Sequence, residues 1–122
     1  MKILIVEDNP AMRHLIRSIV GDLAEVFECT DGDEALPLYE QYHPDWVLMD
    51  IRMRNVSGIE ATRNLVAAHR EARVVIVTNF NDDRLRETAR EAGACAYVLK
   101  EDLFSLRRML RSAPDSSERG QP

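Results

Sequence analysis

The sequence predicts an α/β domain: a doubly wound parallel sheet of five strands in the order 2-1-3-4-5. Apolar runs and helical patterns alternate from end to end. Four of the five runs are nearly continuous in Val, Ile, Leu or Met, as strands covered on both faces are. Each intervening stretch is long enough for a right-handed helical crossover.

The first strand is expected at about 2–6, Ile3-Leu4-Ile5-Val6. A helix follows, with Met12, Leu15, Ile16, Ile19 and Val20 as one inward stripe. Asn9 can cap it, and Pro10 suits the first helical position, where its missing N–H is not needed. The second strand, about 24–29, is interrupted by Glu25 and Glu28 and reads as a sheet edge. The second helix, about 33–42, turns Ala35, Leu38, Tyr39 and Tyr42 inward, and Pro37 predicts a late start or a kink. The third strand, about 45–50, contains Trp46-Val47-Leu48-Met49 and ends at Asp50. The third helix, about 57–69, starts at Ser57-Gly58 and faces Ile59, Thr62, Leu65 and Val66 to the sheet. The fourth strand, about 73–78, ends at Thr78; its helix, about 82–92, carries Leu85, Ala89 and Ala92 and stops at Gly93. The fifth strand, about 95–99, leads to Lys100, and the last helix, about 102–112, carries Leu103, Leu106 and Leu110. Residues 1–112 form the expected domain, and 113–122 read as a disordered tail or the start of a linker.

The 122 residues, 45% hydrophobic and 30% charged, suit one globular domain. A net charge of −5 argues against direct nucleic-acid binding by this domain. No apolar run is long enough to span a bilayer, and Glu7-Asp8 follows too soon after Met1 for a signal peptide, so a cytoplasmic chain is expected. Cys29 and Cys95 fall in the second and fifth strands, on opposite edges roughly 19 Å apart, too far for a disulfide. Both are read as core-lining thiols. His14, His43 and His69 share no metal spacing and read as solvated residues.

Ligands of such a sheet bind outside the carboxyl ends of the strands, at the switch point between the first and third. Those strands deliver Glu7, Asp8 and Asp50, and the fourth and fifth deliver Thr78 and Lys100. Each residue alone has an ordinary explanation. The acids can favour a helix start, Thr78 can satisfy its own backbone, Lys100 can be a surface lysine and Tyr97 an edge aromatic. Their convergence on the proper strand ends is what carries the inference. Three crowded carboxylates repel one another, and a hard divalent cation relieves this. Two direct carboxylates and a backbone carbonyl just after Asp50 suit Mg²⁺, with Mn²⁺ as the alternative. With no His or Cys at these strand ends, the nucleophile is a carboxylate, and Asp50 is central. In-line attack on a phosphoryl group gives an acyl phosphate, with Lys100 and Thr78 on its oxygens.

These residues lie in Ile3-Leu4-Ile5-Val6-Glu7-Asp8, Asp45-Trp46-Val47-Leu48-Met49-Asp50-Ile51-Arg52-Met53, Ser57-Gly58-Ile59-Glu60-Ala61-Thr62, Val77-Thr78 and Ala92-Gly93-Ala94-Cys95-Ala96-Tyr97-Val98-Leu99-Lys100. So read, the chain resembles the receiver (REC) domain of bacterial two-component response regulators, from about residue 2 to 112. The resemblance implies the flavodoxin-like (CheY-like) fold and makes Asp50 the phosphoacceptor. It implies Glu7 and Asp8 as the acid pocket, the Arg52 carbonyl as a further Mg²⁺ ligand, Lys100 on the phosphoryl group, and Thr78 with Tyr97 as the switch pair. The donor would be a phosphohistidine on a sensor histidine kinase or phosphotransfer protein, or a small acyl phosphate. The chain would catalyse only its own phosphorylation and dephosphorylation.

Three positions depart from the family pattern. Arg54 stands where Pro is frequent and is expected to loosen the loop after Asp50. Asn79 replaces a smaller residue beside Thr78. Glu101 replaces Pro after Lys100. The Lys100-Glu101-Asp102 ending looks like receivers that carry a LuxR-type output domain, which implies control of transcription. The resemblance also implies a readout surface on the fourth helix, fifth strand and fifth helix, where Arg84, Arg86, Glu87, Arg90, Arg107 and Arg111 are expected to pair across a homodimer. Ala11, His14 and Ser18 of the first helix are the expected kinase dock. Two rivals stand beside this reading. A Mg²⁺-dependent phosphatase would need a second Asp where Arg52 stands. A pseudo-receiver that only binds partners would not need the full acid, Thr and Lys set.

Overall fold

The computed structural model describes residues 1–112. The expected tail at 113–122 lies outside the described residues. The strands are β1 (Lys2–Val6), β2 (Glu25–Cys29), β3 (Trp46–Met49), β4 (Val74–Thr78) and β5 (Ala96–Leu99). They form one parallel sheet in the order β2-β1-β3-β4-β5. The helices are α1 (Pro10–Val20), α2 (Ala35–Tyr42), α3 (Gly58–Ala68), α4 (Asp83–Ala92) and α5 (Leu103–Ser112).

Alternate strand residues feed two cores. Ile3, Ile5, Leu48, Val75, Val77 and Val98 pack with Ile16 and Val20 of α1 and with Leu103, Leu106 and Leu110 of α5. Leu4, Val6, Val47, Met49, Val74 and Ile76 pack on the other face with residues of α2, α3 and α4. Each such side chain, fully buried, contributes about 1.5–3 kcal/mol of transfer free energy. This two-sided burial is why the strands read as continuous apolar runs.

The helix signals act as expected. Asn9 Oδ1 accepts the Met12 N–H at 3.0 Å, and Pro10 opens α1. Pro37 delays α2: a 3₁₀ turn, Gly32–Glu34, precedes it, and Pro37 falls in the first turn, where no N–H donor is required. Ser57 caps α3, Asp82 caps α4, and Gly93 ends α4 with φ of 110°. A second 3₁₀ turn, Lys100–Asp102, leads into α5.

Four expectations need correction. Leu15 is not inward; it is 43% exposed. The face of α1 is set by Ile16 and Val20, and Leu15 falls on its flank. Cys29 is buried, but Cys95 is exposed, because it precedes the edge strand β5 at the sheet's lower rim. His69 is half-buried rather than solvated, with Nε2 at 2.9 Å from Glu40. Arg107 is committed within the chain rather than free for a second copy. Its guanidinium donates to Ile19 O at 2.8 Å and to both Asp22 oxygens at 2.7 and 2.9 Å, tying α5 to the end of α1.

Candidate functional site

Sheet register brings the site together. Val6 pairs with Met49, so Glu7 and Asp50 leave adjacent strands side by side. The Asp50 N–H donates to Val6 O at 3.0 Å and fixes that start. Thr78 pairs with Leu99, which places Lys100 one residue beyond the row. The carboxylates of Glu7, Asp8 and Asp50 offer oxygens within 4.8 Å of one another. Glu7 is 1% exposed and Asp50 7%, while Asp8 is open to solvent.

Lys100 reaches into this cluster, with Nζ at 2.8 Å from Glu7 Oε1 and 3.1 Å from Asp50 Oδ1. The Glu7 contact is ionic and poorly directed, for Oε1 makes no angularly sound hydrogen bond. Burial pushes the Glu7 carboxyl up to about 7, Lys100 opposes this, and the Asp50 charge adds to it. Burial pulls the Lys100 ammonium down, but Glu7 and Asp50 outweigh it and hold the group above its usual range. The two groups move up for different reasons: burial and the Asp50 charge raise Glu7 beyond what Lys100 offsets, while two carboxylates hold the proton on Lys100. An all-oxygen donor set with an under-satisfied buried oxygen fits a hard divalent cation.

The Glu7 shift has a signed consequence. Between pH 4.5 and about 7 the folded state holds a proton that the unfolded state has lost. Metal-free stability therefore falls as pH rises through that window. A divalent cation bound among these carboxylates would take the place of that proton, so added Mg²⁺ is expected to raise Tm more at pH 8 than at pH 5.5. Melting curves with and without Mg²⁺ at both pH values measure this, and equal increments would contradict it.

Thr78 is fully buried, and its Oγ1 accepts the Phe80 N–H at 3.2 Å. The Tyr97 hydroxyl donates to Phe80 O at 2.6 Å. Both residues of the expected switch pair thus hold Phe80 of the β4–α4 loop, Thr78 through the Phe80 N–H and Tyr97 through the Phe80 C=O. Arg86 lies 4.6 Å over the Tyr97 ring, and Arg52 lies 4.4 Å over the Phe80 ring. Asn79 is exposed. Arg86 is half-buried and Arg90 pairs with Glu87 of its own helix, so both already have partners within the chain.

The loop after Asp50, which carries Arg54, is tied to the loop after β2. Asp31 Oδ2 accepts the Asn55 N–H at 2.8 Å and Oδ1 accepts the Val56 N–H at 2.9 Å. Burial raises the Asp31 carboxyl, but the N–H groups of Asn55, Val56, Asp33 and Gly32 outweigh it and hold it below its ordinary range. Sequence reasoning missed Asp31, although it too follows a strand end. A cavity of about 470 Å³ between these loops is lined by Asp8, Asp31, Asp33, Glu34, Arg54 and Asn55, together with Thr30.

Gly58 closes the loop. Its N–H donates to Ile51 O at 2.8 Å, and a Cβ there would lie 1.8 Å from Asp50 O. Gly58→Ala is expected to cost about 3 kcal/mol, the upper end for overpacking, because the obstacle is backbone. Urea unfolding measures it; a loss below about 1 kcal/mol would contradict the close approach.

The family model for the response regulator receiver domain matches residues 3–111. The chain is a response regulator receiver domain. It is 33% identical to the transcriptional regulatory protein DegU of Brevibacillus brevis over 104 residues, covering 83% of this chain and 44% of DegU. It is 35% identical to the chemotaxis protein CheY of Halobacterium salinarum, covering 81% of this chain and 83% of CheY. The receiver domain thus spans about half the length of relatives such as DegU and most of CheY. Among solved structures, a LuxR-family two-component response regulator from Aurantimonas superposes with a TM-score of 0.85 at 34% identity, covering 91% of this chain and 82% of that one. The BeF3-activated receiver domain of Klebsiella pneumoniae RstA superposes at 0.79 with 30% identity, covering 92% and 100%. Some relatives of the receiver domain, DegU among them, are transcriptional regulatory proteins. Among the described residues no helix is long and apolar enough to cross a membrane.

Proposed function

We propose that Asp50 accepts a phosphoryl group from a sensor histidine kinase, a phosphotransfer protein or a small acyl phosphate, and that this switches the domain between two conformations. The observation that carries this is the placement of Asp50 between two other acids and the Lys100 ammonium, at the switch point of the sheet. An Asp50 oxygen attacks phosphorus in line. The bond to the donor's leaving group breaks, its electron pair leaves with that group, and an acyl phosphate remains. Glu7, Asp8, Asp50 and the Arg52 carbonyl would hold Mg²⁺ or Mn²⁺, which when bound offsets the charge of the acids and of the phosphoryl oxygens.

Lys100 turns from Asp50 to a phosphoryl oxygen, and the Thr78 hydroxyl donates to another. The Phe80 N–H then loses its Thr78 partner while the Phe80 C=O keeps Tyr97, and the loop moves with the ring of Tyr97. Driving such a switch from 1:99 to 99:1 takes about 5.5 kcal/mol of differential stabilisation. New charge-assisted hydrogen bonds from Lys100 and Thr78 can supply much of it. Ala11, His14 and Ser18, all exposed on α1, form the dock for the donor protein. The surface of α4, β5 and α5, without Arg107, is read by an output partner or a second copy. That DegU is a transcriptional regulatory protein supports transcription as the output; such an output would place the domain in the cytoplasm.

The test is an intact mass after incubation with Mg²⁺ and acetyl phosphate. One added phosphoryl group is expected. Sustained hydrolysis of a generic phosphate ester would favour a phosphatase instead. No gain, with no Mg²⁺-dependent beryllofluoride binding, would leave only a partner-binding module.

A further inference from the structure

The β3–α3 loop carries Arg52, and it is gripped from a different loop. Asp31, just after β2, is 6% exposed and meets two N–H groups with its two oxygens, those of Asn55 and Val56. A third N–H, from Asp33, lies 3.3 Å from Oδ1. The two loops also touch backbone to backbone: a Cβ on Gly32 would lie 2.5 Å from Val56 O. At the far end Gly58 secures Ile51 at 2.8 Å. The segment bearing residue 52 is thereby fixed between two anchors, one of which is a side chain from 24 positions earlier than Asn55. Asp31 itself is not among the clustered acids.

We propose that Asp31 is a positioning residue for the divalent-cation site: by binding the Asn55 and Val56 N–H groups it keeps the β3–α3 loop, and so the Arg52 carbonyl, in place beside Asp50. The inference rests on the metal reading given under the proposed function. The chemistry requires a carboxylate. Two convergent N–H donors need two acceptors, and an amide offers one oxygen and one further donor. Asn at position 31 therefore keeps one bond and sets an NH₂ against the other N–H. Its effect should pass to the cation through the loop, as outer-shell partners of metal sites do.

The experiment is a Mg²⁺ titration of the full chain by NMR, following the amides of Asp8 and Asp50, for wild type, Asp31→Asn and Asp31→Ala, with Tm for each. The Mg²⁺ midpoint is expected to rise about tenfold in Asp31→Asn and further in Asp31→Ala. At saturating Mg²⁺, phosphorylation by acetyl phosphate should return to within about twofold of wild type. Asp31→Asn, nearly isosteric, carries the test if Asp31→Ala does not fold. A purely structural role would lower Tm and leave the midpoint where it was, and that result overturns the proposal. A rate that stays low at saturating Mg²⁺ overturns it as well. Wild type that shows no Mg²⁺-dependent shift overturns the metal reading itself, which the variants alone could not do.

Discussion

Asp50→Asn is expected to gain no phosphoryl group under conditions that fully label wild type. An amide oxygen adjacent to NH₂ carries no full charge and is a poor nucleophile toward phosphorus. The substitution is otherwise mild, since Asn keeps the shape of the side chain. It also removes one of three crowded carboxylates, whose oxygens lie within 4.8 Å of one another. The variant should therefore be more stable than wild type in metal-free buffer at pH 8, by about 1 kcal/mol. It should bind Mg²⁺ about tenfold more weakly, having lost a charged ligand. Intact mass, urea unfolding and a metal titration measure the three effects. A phosphorylated Asp50→Asn chain, or one destabilised without metal, would contradict the assignment.

Lys100→Met separates the two jobs of the ammonium. Its Nζ sits 2.8 Å from Glu7 and 3.1 Å from Asp50, and the side chain is 8% exposed. Without it, the two buried carboxylates lose their common cation. At pH 8 and without metal, stability should fall by about 3 kcal/mol, the lower range for breaking a buried pair. At pH 5.5 the loss should be smaller, because Glu7 can hold its proton there. Mg²⁺ no longer competes with a positive neighbour, so its affinity should rise at least about tenfold. Phosphorylation by acetyl phosphate should nevertheless slow by about 10²–10³-fold, since the charge that meets the phosphoryl oxygens is gone. Opposite signs for metal binding and phosphorylation are the signature. Weaker Mg²⁺ binding in Lys100→Met would contradict the geometry.

The legible part of this molecule is the part written in local pattern. Two-sided burial makes strands into apolar runs, and parallel register then sets Glu7 beside Asp50 and Lys100 beyond Thr78. The late start of α2 was readable from Pro37 because proline's restrictions are local. What escaped depends on distant partners. Asp31 binds residues 24 and 25 positions away, and no local pattern announces those partners. Arg107 finds Asp22 across 85 positions, which no helical pattern announces. Leu15 failed because an apolar stripe is wider than the face that the sheet covers. The restraint on the loop that carries Arg54 likewise lies in another loop.

The central claim is that Asp50 itself carries the phosphoryl group. Borohydride cleaves an acyl phosphate by reducing its carbonyl to an alcohol, which leaves homoserine where an aspartyl phosphate stood. After treatment with Mg²⁺ and acetyl phosphate, then borohydride, peptide sequencing by mass spectrometry should find homoserine at position 50 and Asp at position 8. Homoserine at Asp8, or unmodified Asp50 in a chain that has gained phosphoryl mass, would contradict the account.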